Sequence, residues 1–142
     1  MAPAPLVSCV CLTTHPRRAV FLPDALRSYR QQTYASRELV VVNDGAPLVS
    51  SRPDVRVVNL PRRASRWTVG EKRNVGVRAA RGEYLATWDD DDVSLPVRLA
   101  VEVEAAERLG ADVVRADGAF IGDAALSLAG RCQRDAAVAV QA

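Results

Sequence analysis

Tyr84-Leu85-Ala86-Thr87-Trp88-Asp89-Asp90-Asp91-Asp92 is the stretch around which the chain is organised. Its first five residues form a charge-free block behind a turn at Gly82, a pattern that predicts a short buried strand. Four adjacent carboxylates therefore stand where that strand leaves the core. Each disfavours ionisation of its neighbours, so the group is comfortable only when solvated or neutralised by a cation. If strand geometry persists, Asp89 and Asp91 share one face and Asp90 takes the other. Two carboxylates at D-x-D spacing suit a hard divalent cation, Mg²⁺ or Mn²⁺, which takes one or two carboxylates plus substrate phosphates. A solvated acidic loop, with Asp92 or Ser94 capping the next helix, is the plainer alternative.

Immediately upstream, Thr68-Val69-Gly70-Glu71 matches a capping box. It opens a helix running to about Arg81, with Val69, Gly76, Ala79 and Ala80 as its packing side and Gly82 placed to end it. Before it lies a basic loop, Pro61-Arg62-Arg63-Ala64-Ser65-Arg66-Trp67. Further back, Val55 to Leu60 and Glu38 to Val42 read as strands, the former nearer an edge because Arg56 and Asn59 interrupt it. Leu22, Ala25, Leu26 and Tyr29 recur at helical spacing, with Pro23 tolerable in the first turn. Leu6 to Leu12 is a near-continuous apolar run, as expected of a central strand buried on both faces.

Downstream, Leu99, Val103, Ala106 and Leu109 space a third helix, with Pro96 near its start and Gly110 at its end. Asp112-Val113-Val114 reads as the opening of a fifth strand. After about residue 118 the periodicity weakens, with faint helical patterns over Ala124 to Leu128 and Arg134 to Val140. The expected division is a domain over 1–118 and an Ala/Gly-rich tail over 119–142.

The alternation β-α-β-β-α-β-α-β predicts an α/β domain with a mainly parallel, helix-covered sheet. Ligands in such sheets bind beyond the carboxyl ends of the strands. Thr13-Thr14-His15, Asn43-Asp44-Gly45 and Asp89 to Asp92 all follow strand ends, so they can converge in one crevice.

Composition bounds the function. The chain has 142 residues and a net charge of +2, which gives no ground for a nucleic-acid or membrane partner. Lys72 is the only lysine among 19 basic residues, a skew that with the abundant Ala points to a GC-rich coding sequence rather than to any ligand. Cys9 and Cys11 alternate in a strand-like run and read as small buried residues, with Cys132 a bystander. No Cys/His cluster completes a zinc site, and a reduced cytoplasmic setting fits. Met1-Ala2-Pro3-Ala4-Pro5 lacks the pattern of a secretory leader, and no apolar run reaches membrane-span length.

Six segments, taken in order, resemble a known family: Val7 to Thr14, Leu26 to Tyr34, Glu38 to Gly45, Gly70 to Asn74, Ala80 to Tyr84, and Trp88 to Asp92 with Pro96 and Arg98-Leu99 behind. Over roughly residues 5 to 114 the chain is similar to the nucleotide-binding half of an inverting family 2 glycosyltransferase of the GT-A, Rossmann-like fold. The resemblance implies that Thr13, Thr14 and His15 line the base and ribose, partly through backbone groups. It implies that Asp44 bonds the base, most often uracil, that Arg73 faces the nucleotide, and that Lys72 approaches phosphate. It implies that Asp91 is the main metal ligand and that Asp89 sits towards the ribose and metal. His15 stands where the family usually has Asn, and Asn43 where it often has Asp.

The family's acceptor half and catalytic base normally lie well downstream of D-x-D, yet about fifty residues follow Asp92 here. Asp117, Asp123 and Asp135 are available carboxylates, but none sits in a segment matching the base, so the catalytic residue is unassigned. The chain thus reads as a truncated GT-A half, with self-association expected through uncovered apolar surface. Three alternatives stay open: a nucleotide-sugar- and metal-binding fragment without turnover, a Ca²⁺ module without nucleotide, and a phosphoryl-transfer enzyme. The last lacks a glycine-rich phosphate loop. Arg62, Arg63 and Arg66 could grip phosphates or an anionic acceptor, although a solvated loop is the simpler reading. Trp67 reads as a packing residue, and Trp88 as either core or site lining.

Overall fold

The computed structural model describes residues 3–115, together with 120–122 and 128–131. Four strands, β1 (Val7–Thr13), β2 (Arg37–Asn43), β3 (Val55–Asn59) and β4 (Tyr84–Thr87), form one parallel sheet in the order β3-β2-β1-β4. The register pairs Val7 with both Arg37 and Tyr84, and Leu39 with Val55. The chain steps outward from β1 to β3, then returns to the other side of β1, so the order reverses there. In open α/β sheets that reversal marks the crevice for ligands.

The central strands carry the core. Cys9, Cys11, Leu39, Val40 and Val42 are wholly buried, because both faces of β1 and β2 are covered. Helix α1 (Leu22–Arg30) presents Leu22, Leu26 and Tyr29 to the face that bears Val41, Val55 and Val57. Pro23 sits in its first turn, where a missing N–H costs nothing. Helix α2 (Val69–Ala79) lies on the opposite face, with Gly76 pressed against Val10 and Val42. Its capping box is present: Glu71 N–H donates to Thr68 Oγ1 at 3.2 Å and Thr68 N–H to Glu71 Oε2 at 2.8 Å. Three expectations for this region change. Val69 is 54 % exposed, Lys72 takes a buried position beside Gly76, and the helix ends at Ala79, before Gly82. Likewise β4 closes one end of the sheet order with Leu85 half exposed, so it is an edge strand covered on one face rather than a buried one.

Two compact units divide the chain after Val97. In the second, α3 (Arg98–Leu109) buries Leu99, Val103 and Ala106, the spaced positions of its stripe. Gly110 follows at φ +58°, and Ala111 N–H bonds to Ala106 C=O at 3.1 Å, a glycine-terminated helix end. Residues 112–115 are irregular, so the fifth strand predicted at Asp112-Val113-Val114 is absent there. Instead β5 (Phe120–Gly122) and β6 (Leu128–Arg131) pair antiparallel. Leu128, read as helical from sequence, opens β6; Asp117, Asp123, Cys132, Asp135 and the other faint helical patterns fall outside the described residues. No described helix is long and apolar enough to cross a membrane.

A polar knot fastens the amino-terminal edge of the sheet. Glu38 Oε1 accepts from Ser8 Oγ at 2.7 Å and from Arg81 N–H at 2.7 Å, and Arg56 approaches Oε2 at 3.4 Å. Burial opposes ionisation of Glu38, but these donors outweigh it and hold its pKa below the ordinary carboxylate value. A depressed carboxylate contributes stability above its unfolded pKa and loses it as pH falls through the folded one. Denaturant unfolding is therefore expected to give constant stability above about pH 5 and a decline below about pH 4, shallower in Glu38→Gln. An acid limb of equal slope in that variant would remove Glu38 from the account.

Candidate functional site

Within the first unit, the loops beyond the carboxyl ends of β1, β2 and β4 surround a cleft of about 580 Å³. The loop after β3 and the first turns of α2 complete its wall, from Pro61 to Trp67 and at Lys72 and Arg73.

Asn43 is the knot of the β1 and β2 edge. Its side-chain oxygen accepts from His15 N–H at 3.0 Å and Gly45 N–H at 3.1 Å. Its amide donates to Ala46 C=O and to Asn59 Oδ1, both at 2.8 Å. The ends of three strands are thus tied through one fully buried side chain. A Cβ on Gly45 would lie 1.9 Å from the His15 carbonyl oxygen, so no larger residue fits that turn. The turn turns Asp44 into the cleft, where Oδ1 accepts from Thr14 Oγ1 at 2.6 Å and Lys72 Nζ at 3.1 Å. Burial works against the Asp44 charge, yet Thr14 and Lys72 prevail and lower its pKa. Asp44 is thereby an ionised acceptor with its second oxygen available.

The acidic stretch does not continue the strand. Asp92 N–H bonds back to Asp89 C=O at 3.2 Å, closing a turn. Side-chain alternation therefore stops, and the expected opposition of Asp90 to Asp89 and Asp91 is replaced by another division. Asp90, 3 % exposed, accepts Arg18 Nε and Nη2 at 2.6–2.9 Å, and the same Nη2 reaches Asp91 Oδ2 at 2.8 Å. Asp89 faces Arg73 at 3.7 Å. Arg18 was not singled out by sequence reasoning; its one signal is Arg17-Arg18 directly behind the polar stop of β1. Burial, with Asp90 and Asp89 nearby, pushes the Cys11 thiol up and leaves it inert.

Of the residues expected to bind nucleotide, Thr14, Asp44, Arg73 and Asp89 line the cleft, and Asp91 does too. Thr13 and His15 do not line it; Thr13 Oγ1 and His15 Nδ1 are buried without a hydrogen-bond partner among the described residues. Trp88 is core, 2 % exposed. Trp67, expected to pack, lines the cleft with Nε1 bonded to Pro61 C=O at 3.1 Å. Among the described residues no three His, Cys, Asp or Glu side chains gather as a ready-made metal site. Asp89 Oδ2 and Asp91 Oδ1 nevertheless take no side-chain partner among them. Two half-exposed carboxylates fit an ion of the Mg²⁺ kind, whose remaining ligands come from phosphate and water.

The family model described as glycosyl transferase family 2 matches residues 9–126. The chain belongs to glycosyl transferase family 2. This family 2 domain is 37 % identical over 108 residues to succinoglycan biosynthesis protein ExoO of Rhizobium meliloti (strain 1021), covering 66 % of this chain and 30 % of ExoO. It spans 22–41 % of the curated relatives it matches. Its fold is similar to that of S. aureus TarS in complex with UDP-GlcNAc, with a TM-score of 0.62 and 17 % identity over 87 % of this chain and 41 % of that one. It is also similar to the mannosyltransferase PcManGT from Pyrobaculum calidifontis in complex with GDP-Man and Mn²⁺, with a TM-score of 0.57 and 20 % identity over 85 % and 36 % of the two chains. The parallel sheet with its flanking helices has the fold of GT-A transferases.

Proposed function

We propose that the cleft binds a nucleotide-diphosphate sugar, UDP-linked in the first instance, for inverting transfer to an acceptor. The observation that carries the reading is the convergence of Asp44, Arg73 and Asp89 on one cleft at the strand-order reversal. Asp44, ionised and fixed by Thr14 and Lys72, offers its remaining oxygen to the N–H edge of a base. Thr13 and His15 shape the base and ribose end from behind, through the backbone that Asn43 secures. Arg73 leaves Asp89 for the ribose-phosphate side. Asp89 and Asp91 would hold Mg²⁺ or Mn²⁺, which supplies charge neutralisation to the diphosphate as it departs. Cys9 and Cys11, buried and in no disulfide among the described residues, accord with a reducing, cytoplasmic setting.

Calorimetric titration tests the reading. UDP is expected to bind with Mn²⁺, and Asp91→Asn to weaken that binding by about tenfold or more, the loss of one charge-assisted contact. Mn²⁺-independent binding that ignores the substitution would overturn the metal assignment, and GDP binding in place of UDP would reassign the base.

A second reading, donor binding without transfer by this unit alone, is favoured by one observation. Among the described residues every carboxylate lining the cleft is paired with lysine or arginine, so none of them stands as an unpaired base for an acceptor hydroxyl. Release of UDP from a bound UDP-sugar on adding acceptor sugars would count against it.

A further inference from the structure

The cleft carries more cationic side chains than its own carboxylates pair. Its lining contains Arg17, Arg18, Arg62, Arg63, Arg66, Lys72 and Arg73 against four carboxylates. Arg18, Lys72 and Arg73 are matched to those acids, and Arg63 to Glu71 at 2.5 Å. Arg17, Arg62 and Arg66 have no ion-pair partner among the described residues. The diphosphate of a nucleotide sugar carries one negative charge per phosphorus, and a divalent ion cancels both. Seven cationic side chains and a divalent ion, set against four lining carboxylates, Glu71 and the diphosphate, leave two positive charges over, and Arg17, Arg62 and Arg66 are the groups without an ion-pair partner among the described residues.

The loop that presents two of them is built rather than loose. Arg63 lies over the Trp67 ring at 3.8 Å and donates to the carbonyls of Ser65 and Arg66 at 3.1 and 2.9 Å. Trp67 Nε1 ties back to Pro61 C=O, and Glu71 anchors both Arg63 and the start of α2. The Arg63 pair, with the Thr68 donors, lowers the Glu71 pKa to about 2, so the anchor stays charged at neutral pH. Arg63 is thus consumed internally, and its bonds fix the backbone from which Arg62 and Arg66 project into the cleft wall. Exposed guanidinium groups carried on a backbone fixed this way suit bidentate recognition of carboxylate or phosphate.

We propose that Arg62 and Arg66, with Arg17 of the same cleft lining, form a second anion site that takes a carboxylate or phosphate borne by the transferred sugar or by the acceptor. This rests on the nucleotide-sugar reading. The first arm of the test titrates UDP-glucuronate and UDP-glucose with Mn²⁺ into the chain and into the Arg62→Gln/Arg66→Gln double variant. If the sugar bears the anion, UDP-glucuronate binds about tenfold more tightly than UDP-glucose. The double variant then loses that preference while holding UDP-glucose within about twofold. The second arm adds glucuronate or inorganic phosphate to the chain saturated with UDP and Mn²⁺. If the acceptor bears the anion, binding appears here and disappears in the double variant. Intact UDP binding with neither preference nor second-anion binding overturns the proposal. So does an equal loss of UDP, UDP-glucose and UDP-glucuronate in the variant, which would make these arginines diphosphate ligands. Failure of UDP itself to bind would instead fell the nucleotide reading, and this inference with it.

Discussion

Arg18→Ala is expected to destabilise the first unit by about 2–3 kcal/mol. Asp90 is 3 % exposed, and the Arg18 guanidinium is the cation that meets both its oxygens. Removing one partner of a buried pair leaves a desolvated charge and costs about 3–5 kcal/mol. Here the figure is discounted, because Arg18 is itself a third exposed and water can enter where its side chain stood. The guanidinium also clasps Asp91, so the substitution frees one end of the acidic turn. Arg18→Lys is expected to recover little, since an ammonium group cannot span two oxygens and a neighbouring carboxylate with one planar fork. Urea unfolding of Arg18→Ala, Asp90→Asn and the double variant gives the coupling directly. A coupling above about 1 kcal/mol is expected; additive single effects would show that the pair does not hold the turn.

That pair also marks what could be read in advance. The central strands were legible because β1 and β2 are covered on both faces, and such strands need uninterrupted apolar runs. The capping box was legible because Thr68 and Glu71 are three residues apart and their geometry is local. Asp44 and the acidic stretch were legible as polar stops after strands, a position the fold sends to one edge. The Arg18–Asp90 contact spans 72 residues and leaves no periodic trace. β4 misled because an apolar block of five residues reads the same on a covered strand and on an edge with Leu85 half exposed. Lys72, absent from the expected packing side of α2, is drawn by Asp44 into the interior beside Gly76, at 8 % exposure. The two tryptophans show the same limit. Trp88 lies under α1 and Trp67 in an open loop, and only the path of the chain between strands separates them.

Trp88→Ala is expected to have the largest effect of any single truncation in this unit, a loss of roughly 3–5 kcal/mol. The indole is the largest fully buried side chain among the described residues. It meets Tyr29 edge to face at 6.1 Å and 87°, and donates from Nε1 to Ala25 C=O at 3.0 Å. Both partners lie on α1, so this ring joins the end of β4 to the helix that faces Val41, Val55 and Val57. Ala25 C=O keeps the Ser28 hydroxyl at 3.0 Å, so the dominant loss is packing, not an orphaned acceptor. Trp88→Phe retains a ring against Tyr29 and should cost roughly a third as much, the hydrogen bond and part of the area. For a chain of this size the alanine variant should melt roughly 10–20 °C lower. The functional consequence follows from position. Trp88 N–H bonds to Val10 C=O at 2.9 Å and is the last fixed point before Asp89. Well below its melting temperature the variant should therefore bind UDP and Mn²⁺ more weakly than the Phe variant, because the acidic turn has lost its anchor while its carboxylates remain. If both variants bind alike when folded, the anchor is the backbone bond to β1, and the indole serves stability alone.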